Sequence, residues 1–251
     1  VNVFIGVDLG WYGKPTGLAS AVLEGTALRL RGIARLEPID EVLAWILAEA
    51  GNASAVAGVD APLVIRNETG IRPAERGLNH DFRRYHAGCH PANLGRPFAP
   101  HVLSFSRRLE QAGFLHGANM EARQPGRFQI EVHPHAATVS LFGLERIVKY
   151  KRGLRDARAN ELRRLRKLML DHLPNMTPAL SLRLPSVPRT GNTKPVEDQI
   201  DAVMCAYIAA HWWYWSTARN TLYGDADSGY IVVPNKNEPG VSFNARLDLT
   251  N

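Results

Sequence analysis

Apolar and polar positions change period along this chain, and the changes mark its elements. Residues 3–8 (VFIGVD) are mostly apolar and β-branched and run into Gly10; after the turn-rich Gly13-Lys14-Pro15, residues 17–24 and 28–36 repeat the signal. Three such runs separated by turn residues predict an antiparallel meander. From Asp40, the apolar residues Val42, Leu43, Ile46 and Leu47 recur at helical spacing, with Asp40 as the expected cap and Gly51 as the stop. Residues 53–64 are largely apolar, broken by Asp60 and Pro62. That is the pattern of a strand buried on both faces, hence a central, parallel one.

The pattern then lapses. Residues 66–126 are rich in Arg, His, Gly and Pro, with helical spacing only in short stretches such as 104–112, and read as an inserted lid region over the sheet. Residues 127–132 alternate again, predicting a strand with Phe128, Ile130 and Val132 toward the core and Glu131 on its polar face, which is either simply solvated or turned toward a metal. An amphipathic helix is expected over 156–173, with Leu162, Leu165 and Met169 on one side and arginines on the other. Residues 180–195 read as loop, 197 to about 222 as the last long helix, and 223–251 as a C-terminal extension with a short strand at 230–233. With right-handed crossovers, this order gives one α/β domain over 1–251. Its mixed five-stranded sheet, a three-strand antiparallel meander plus parallel strands flanked by helices, is the arrangement of the RNase H-like fold.

Composition narrows the class. At 251 residues with 45% apolar and 22% charged positions the chain is ordinary globular material, large enough to fold without metals or disulfides. Cys89 and Cys205 are far apart and form no CxxC, which excludes zinc ribbons and favours a reducing, cytoplasmic setting. The opening VNVFIGVDLG lacks a basic region before its apolar run and reads as a strand, not a signal peptide. Residues 202–215, the longest apolar run, are interrupted by His211 and too short for a bilayer, so no membrane span is expected. The net charge of +6 and a pI near 9.5 favour polyanionic partners.

Several carboxylates break the apolar pattern. Asp8, at the end of the first strand, costs several kcal/mol unless it is paired or binds a metal, roughly as any charge does there. Asp60 repeats this on the fourth strand. Asp198 and Asp201, in EDQID, are three residues apart on one face of the last helix's first turn. Asp198 could serve only the helix dipole, but the apolar run after Asp201 turns it inward. With Glu131, these residues could hold two Mg²⁺ or Mn²⁺ ions for in-line displacement at a phosphodiester, since hard cations prefer carboxylate oxygen.

The run FIGVDLGWYGKPTGLA, the GVDAPL strand, NETGIRPAE, IEVHPHA, YKRG and EDQIDAVMCAYIAA together resemble the predicted RNase H-fold nucleases of domain-of-unknown-function family 429. The resemblance spans most of the chain and weakens after Leu222. It implies a nuclease-like acidic site at Asp8, Asp60, Glu131, Asp198 and Asp201, with nucleic acid as partner. The closing Asp-x-x-Asp also looks like the last helix of Holliday-junction resolvases.

Other groups are candidates around that site. Between Arg146 and Lys167 lie ten Lys/Arg and two acids; Lys149, Lys151 and Arg152 precede the helix and could grip phosphates, as could Lys14 and Thr16 in the first hairpin. His133 and His135 could shuttle protons or serve as hydrogen-bond partners. His80, His86, Cys89 and His90 crowd together, but their spacing fits no zinc motif. The consecutive Trp212, Trp213, Tyr214 and Trp215 suggest core or homodimer packing rather than base stacking. Two rival functions remain: a small-molecule phosphotransferase or phosphohydrolase, disfavoured by the missing glycine-rich nucleotide loop, and a non-catalytic nucleic-acid-binding module.

Overall fold

The computed structural model describes residues 2–11 and 14–236. The meander is present as β1 (Asn2–Asp8), β2 (Thr16–Glu24) and β3 (Ala27–Leu36), followed by α1 (Ile39–Ala50) and β4 (Ser54–Val59). Next come α2 (Pro73–Phe82), α3 (Ala99–Gln111), β5 (Leu115–His116) and β6 (Arg127–Glu131). The chain continues through α4 (Pro134–Leu141), α5 (Arg155–His172), β7 (Leu180–Ser181), α6 (Lys194–Trp215) and the hairpin β8 (Asn220–Asp225) and β9 (Gly229–Pro234).

The main sheet runs β5-β6-β4-β1-β2-β3-β7. β1, β2 and β3 pair antiparallel, whereas β4 is parallel to both β1 and β6. Its five inner strands, 6-4-1-2-3, have the order and directions of the RNase H-like fold. The expected five strands become seven among the described residues because β5 and β7 add two-residue edges, too short to leave a period in the sequence.

Both faces of the sheet are covered. On β1, Phe4 joins a core shared with α4, α5 and α6, while Val3, Ile5 and Val7 join one with α1 and α3. This two-sided burial is why β1 and β4 read as continuous apolar runs. Helix α6 lies directly on β1, β2 and β4 because glycine leaves it room. A Cβ at Gly6 would sit 1.8 Å from the Ala202 carbonyl oxygen, and one at Gly17 would sit 2.0 Å from that of Asp198.

Four expectations need correction. Helix α1 begins after Pro38, so Asp40 is a first-turn acid beside the dipole rather than the cap; Gly51 does end it, donating to the Leu47 carbonyl at φ 52°. β4 stops at Val59, one residue before Asp60, because Pro62 follows closely. Helix α6 stops at Trp215, where Ser216 takes a left-handed φ of 45°, and the residues expected to prolong it begin β8. The polar face of β6 is not solvated: Gln129 and Glu131 are as buried as their apolar neighbours. The polar tail beyond residue 236 lies outside the described residues. Among those described, no helix is long and apolar enough to cross a membrane.

Candidate acidic site

Register brings the first two carboxylates together. Val7 of β1 is level with Val59 of the parallel β4, and the Asp60 N–H donates to the Val7 carbonyl at 2.9 Å, so Asp8 and Asp60 leave adjacent strand ends side by side. Helix α6, seated on the glycines, carries Asp201 to the same end of the sheet. Asp201 is fully buried, whereas the Asp60 side chain keeps 24% of its surface exposed.

Two groups from one segment meet this cluster. The Tyr150 hydroxyl donates to Asp201 Oδ1 at 2.6 Å, and Lys151 Nζ lies 2.8 Å from Oδ2. Burial opposes the Lys151 ammonium, but Asp201, Tyr150, Asp8 and Asp60 outweigh it and push the pKa up. Burial also raises Asp8 well above the usual carboxylate range; Lys151 pulls it down, while Asp201, Asp60 and Asp198 add repulsion. At Asp60 burial pushes up, but His133 and Lys151 hold the carboxyl below its ordinary value. One ammonium thus faces three carboxylates.

The other two predicted acids are engaged elsewhere. Glu131 accepts from Arg72 Nη2 at 2.6 Å, from Arg72 Nη1 at 2.9 Å and from the Leu63 N–H at 3.2 Å. Arg72 Nε donates to Glu75, which also accepts the Arg72 and Ala92 N–H groups. Arg72, Glu75 and Glu131 form a buried, backbone-tied triad. Asp198 is clasped by Arg35 at 2.9 Å and Lys194 at 2.7 Å, which makes it an anchor for the first turn of α6. The sequence reading assigned no role to Arg72, Glu75, Tyr150, Arg35 or Lys194. The i,i+3 spacing of Arg72 and Glu75 was a usable signal for one pair.

The remaining predicted residues divide similarly. The Thr16 hydroxyl accepts the Gly10 N–H at 3.0 Å and closes the β1–β2 turn; Lys14 is exposed beside it. Lys149 and Arg152 are exposed and, with half-buried Lys151, line a cavity next to Asp60. His133 Nδ1 faces Asp60 Oδ1 at 3.9 Å while Nε2 donates to the Ala87 carbonyl at 3.2 Å. His135 packs against His133 and Tyr150, and burial pushes its pKa down to about 3. On α5, Arg163 and Arg166 donate to the carbonyls of Leu184, Pro185 and Pro188, so part of the basic cluster staples a loop.

The His/Cys group gathers no three metal ligands among the described residues, although His86, Cys89 and His90 all line the cavity next to Asp60. His80 is exposed on Asp81, and burial raises the Cys89 thiol to about 12, far from a metal-binding thiolate. Trp212, Trp213 and Trp215 each donate an indole N–H to a backbone carbonyl within the chain; Trp212 and Trp213 are buried in the core, and Trp215 is half-buried.

The sequence matches the model of a protein family of unknown function, DUF429, over residues 6–228. The chain belongs to this family. No curated protein matches it. Two solved structures are matched at low identity: the Thermus thermophilus RuvC structure at 12%, and T. thermophilus RuvC in complex with Holliday junction substrate at 11%. Each covers 83% of this chain and 96% of its own, with a TM-score of 0.34, a likeness too slight to transfer any residue or activity.

Whether this DUF429 chain suits a metal ion follows from its donors. Asp8, Asp60 and Asp201 are hard oxygen ligands, and the pKa of Asp8 is raised by burial first, with repulsion from the neighbouring carboxylates added to it. That chemistry fits one hard divalent cation. It does not fit two ions on five carboxylates, because Glu131 and Asp198 already carry cationic partners. Among the described residues, no three His, Cys, Asp or Glu side chains converge closely enough to hold a metal as they stand, with Lys151 drawn onto Asp201.

Proposed function

We propose that this protein is a nuclease that hydrolyses phosphodiester bonds at the Asp8–Asp60–Asp201 cluster with the help of one divalent cation, Mg²⁺ or Mn²⁺. The observation that carries this reading is the convergence of three carboxylates, from the ends of β1 and β4 and from α6, around a single lysine at one end of an RNase H-like sheet.

Asp8, Asp60 and Asp201 would hold the cation, which when bound supplies charge neutralisation and a more acidic water. Formal charges support one ion: three carboxylates and one ammonium leave −2, which one divalent cation cancels. Lys151 supplies the positive charge that a second ion would otherwise bring to the phosphate. Tyr150 fixes Asp201 for that task through its 2.6 Å hydrogen bond. Lys149, Arg152 and Lys14 are exposed cations for neighbouring phosphates. His133, steered by the Ala87 carbonyl, presents Nδ1 toward Asp60 and is the group placed to move a proton there. His135, enclosed by His133 and Tyr150, positions its neighbours.

The reading is tested by incubating the full chain with labelled single-stranded, duplex, hybrid and branched DNA and RNA in Mg²⁺ or Mn²⁺, with EDTA as control. Metal-dependent products from at least one substrate are expected. Absence of products from all of them would overturn the proposal in favour of a binding role or a small phosphorylated substrate.

A further inference from the structure

Beside the carboxylates lies a cavity of about 610 Å³, within the usual range for small-ligand sites. Asp60 and Lys151 belong to both. Its lining is mixed: the carboxylates Asp60, Glu75 and Glu131 and four histidines take part, beside two further groups. Lys149, Lys151 and Arg152 bring positive charge, while Ala61, Pro62, Val132, Val148 and Ile231 form an apolar wall. The segment between β4 and β6 contributes Gly88, Cys89, Ala92 and Phe98, so the space is bounded by chain on several sides. Trp11, 41% exposed, stands edge-on to Phe98 with ring centroids 4.2 Å apart, which leaves aromatic surface facing the opening. The Cys89 thiol in the lining stays neutral.

Apolar and aromatic walls beside a cationic patch match the two halves of a nucleotide. An aromatic face accepts any base by stacking, and lysine and arginine take the phosphate. A cavity of this volume admits one nucleotide, and a base still paired in a helix cannot enter it, just as enzymes with enclosed base pockets must take the base out of its stack.

We propose that this cavity binds one unpaired nucleotide, with its base against Trp11, Phe98 and the apolar wall and its phosphate toward the exposed Lys149 and Arg152. The preferred substrate is then single-stranded nucleic acid or a frayed strand end, not an intact duplex. The substrate preference rests on the nuclease reading above; the nucleotide site does not.

The test uses the full chain in EDTA and compares binding of AMP, dTMP, ribose 5-phosphate, a single-stranded oligonucleotide and a blunt duplex of the same sequence. AMP or dTMP should bind more tightly than ribose 5-phosphate, and the single strand more tightly than the duplex. Trp11→Ala, at an exposed rim, should weaken nucleotide and single-strand binding about tenfold. Cys89→Phe, which fills the cavity, should abolish nucleotide binding. Equal binding of ribose 5-phosphate and AMP, equal binding of single strand and duplex, or an unchanged Trp11→Ala protein would overturn the proposal. Parallel cleavage assays separate the two readings. Nucleotide binding as described without cleavage of any polymer keeps the pocket and removes the nuclease; metal-dependent cutting of duplex without nucleotide binding does the reverse.

Discussion

Two groups of carboxylates, one fully buried and one partly open, lie close together in this fold, and each meets one basic side chain. In the Arg72–Glu75–Glu131 triad, the guanidinium forks onto Glu131, bonds Glu75 through Nε and reaches the Val64 carbonyl, while three backbone N–H groups complete the carboxylates. In the Asp8–Asp60–Asp201 cluster a single ammonium faces three acids, and Asp8 is left with its pKa raised by burial and repulsion. Satisfied charge of the first kind fixes structure. Unbalanced charge of the second kind opposes folding and is retained where chemistry needs it.

The largest expected effect is on activity. Asp8→Asn should lower cleavage by at least about a hundredfold, since it removes a ligand to the charge-stabilising centre. Its stability should stay level or rise, by roughly 1 kcal/mol, because the ionised Asp8 is disfavoured in the fold. Thermal melts beside the cleavage assay check both signs. Arg72→Met should act in the opposite sense. Stranding two buried carboxylates costs about 3–5 kcal/mol, readable as a lower urea midpoint.

A buried ionisable group outside both clusters sharpens the contrast. His211 donates through Nδ1 to Asn220, and burial pushes its pKa down to about 4. The unfolded chain takes that proton near pH 6.5, so stability is full above that value and falls as pH drops toward 4, by roughly 3 kcal/mol at the lower end. His211→Gln should show a shallower acid-side loss in chemical denaturation between pH 7.5 and 4.5. The smallest effect belongs to α5, where Lys167→Ala removes an exposed pair with Asp171. It should alter stability by no more than about 0.5 kcal/mol and leave cleavage unchanged.

What the sequence revealed follows from how locally each feature is encoded. The meander, β4, β6, α1, α5 and α6 were legible because two-sided burial and helical spacing write themselves into consecutive residues. β5 and β7 were not, since two residues hold no period. Asp8, Asp60 and Asp201 stood out as charges in apolar runs, and the fold brings them together. Glu131, on the polar side of an alternating strand, and Asp198, near a helix start, carried weaker signals, and nothing local showed their partners, because Arg72, Arg35 and Lys194 arrive from other elements or the preceding turn. The same non-local logic hid the cavity, whose walls come from Trp11 after β1, the segment between β4 and β6, the end of β6, the stretch between α4 and α5, and β9.

Asp8 and Glu131, both candidate site carboxylates, therefore divide between chemistry and structure. The most direct measurement compares Asp8→Asn with Glu131→Gln, recording metal-dependent cleavage and melting temperature for each. The prediction is that Asp8→Asn loses cleavage without losing stability, while Glu131→Gln melts lower but still cleaves. Retained cleavage in Asp8→Asn, or lost cleavage in a Glu131→Gln protein that melts like the parent, would contradict it.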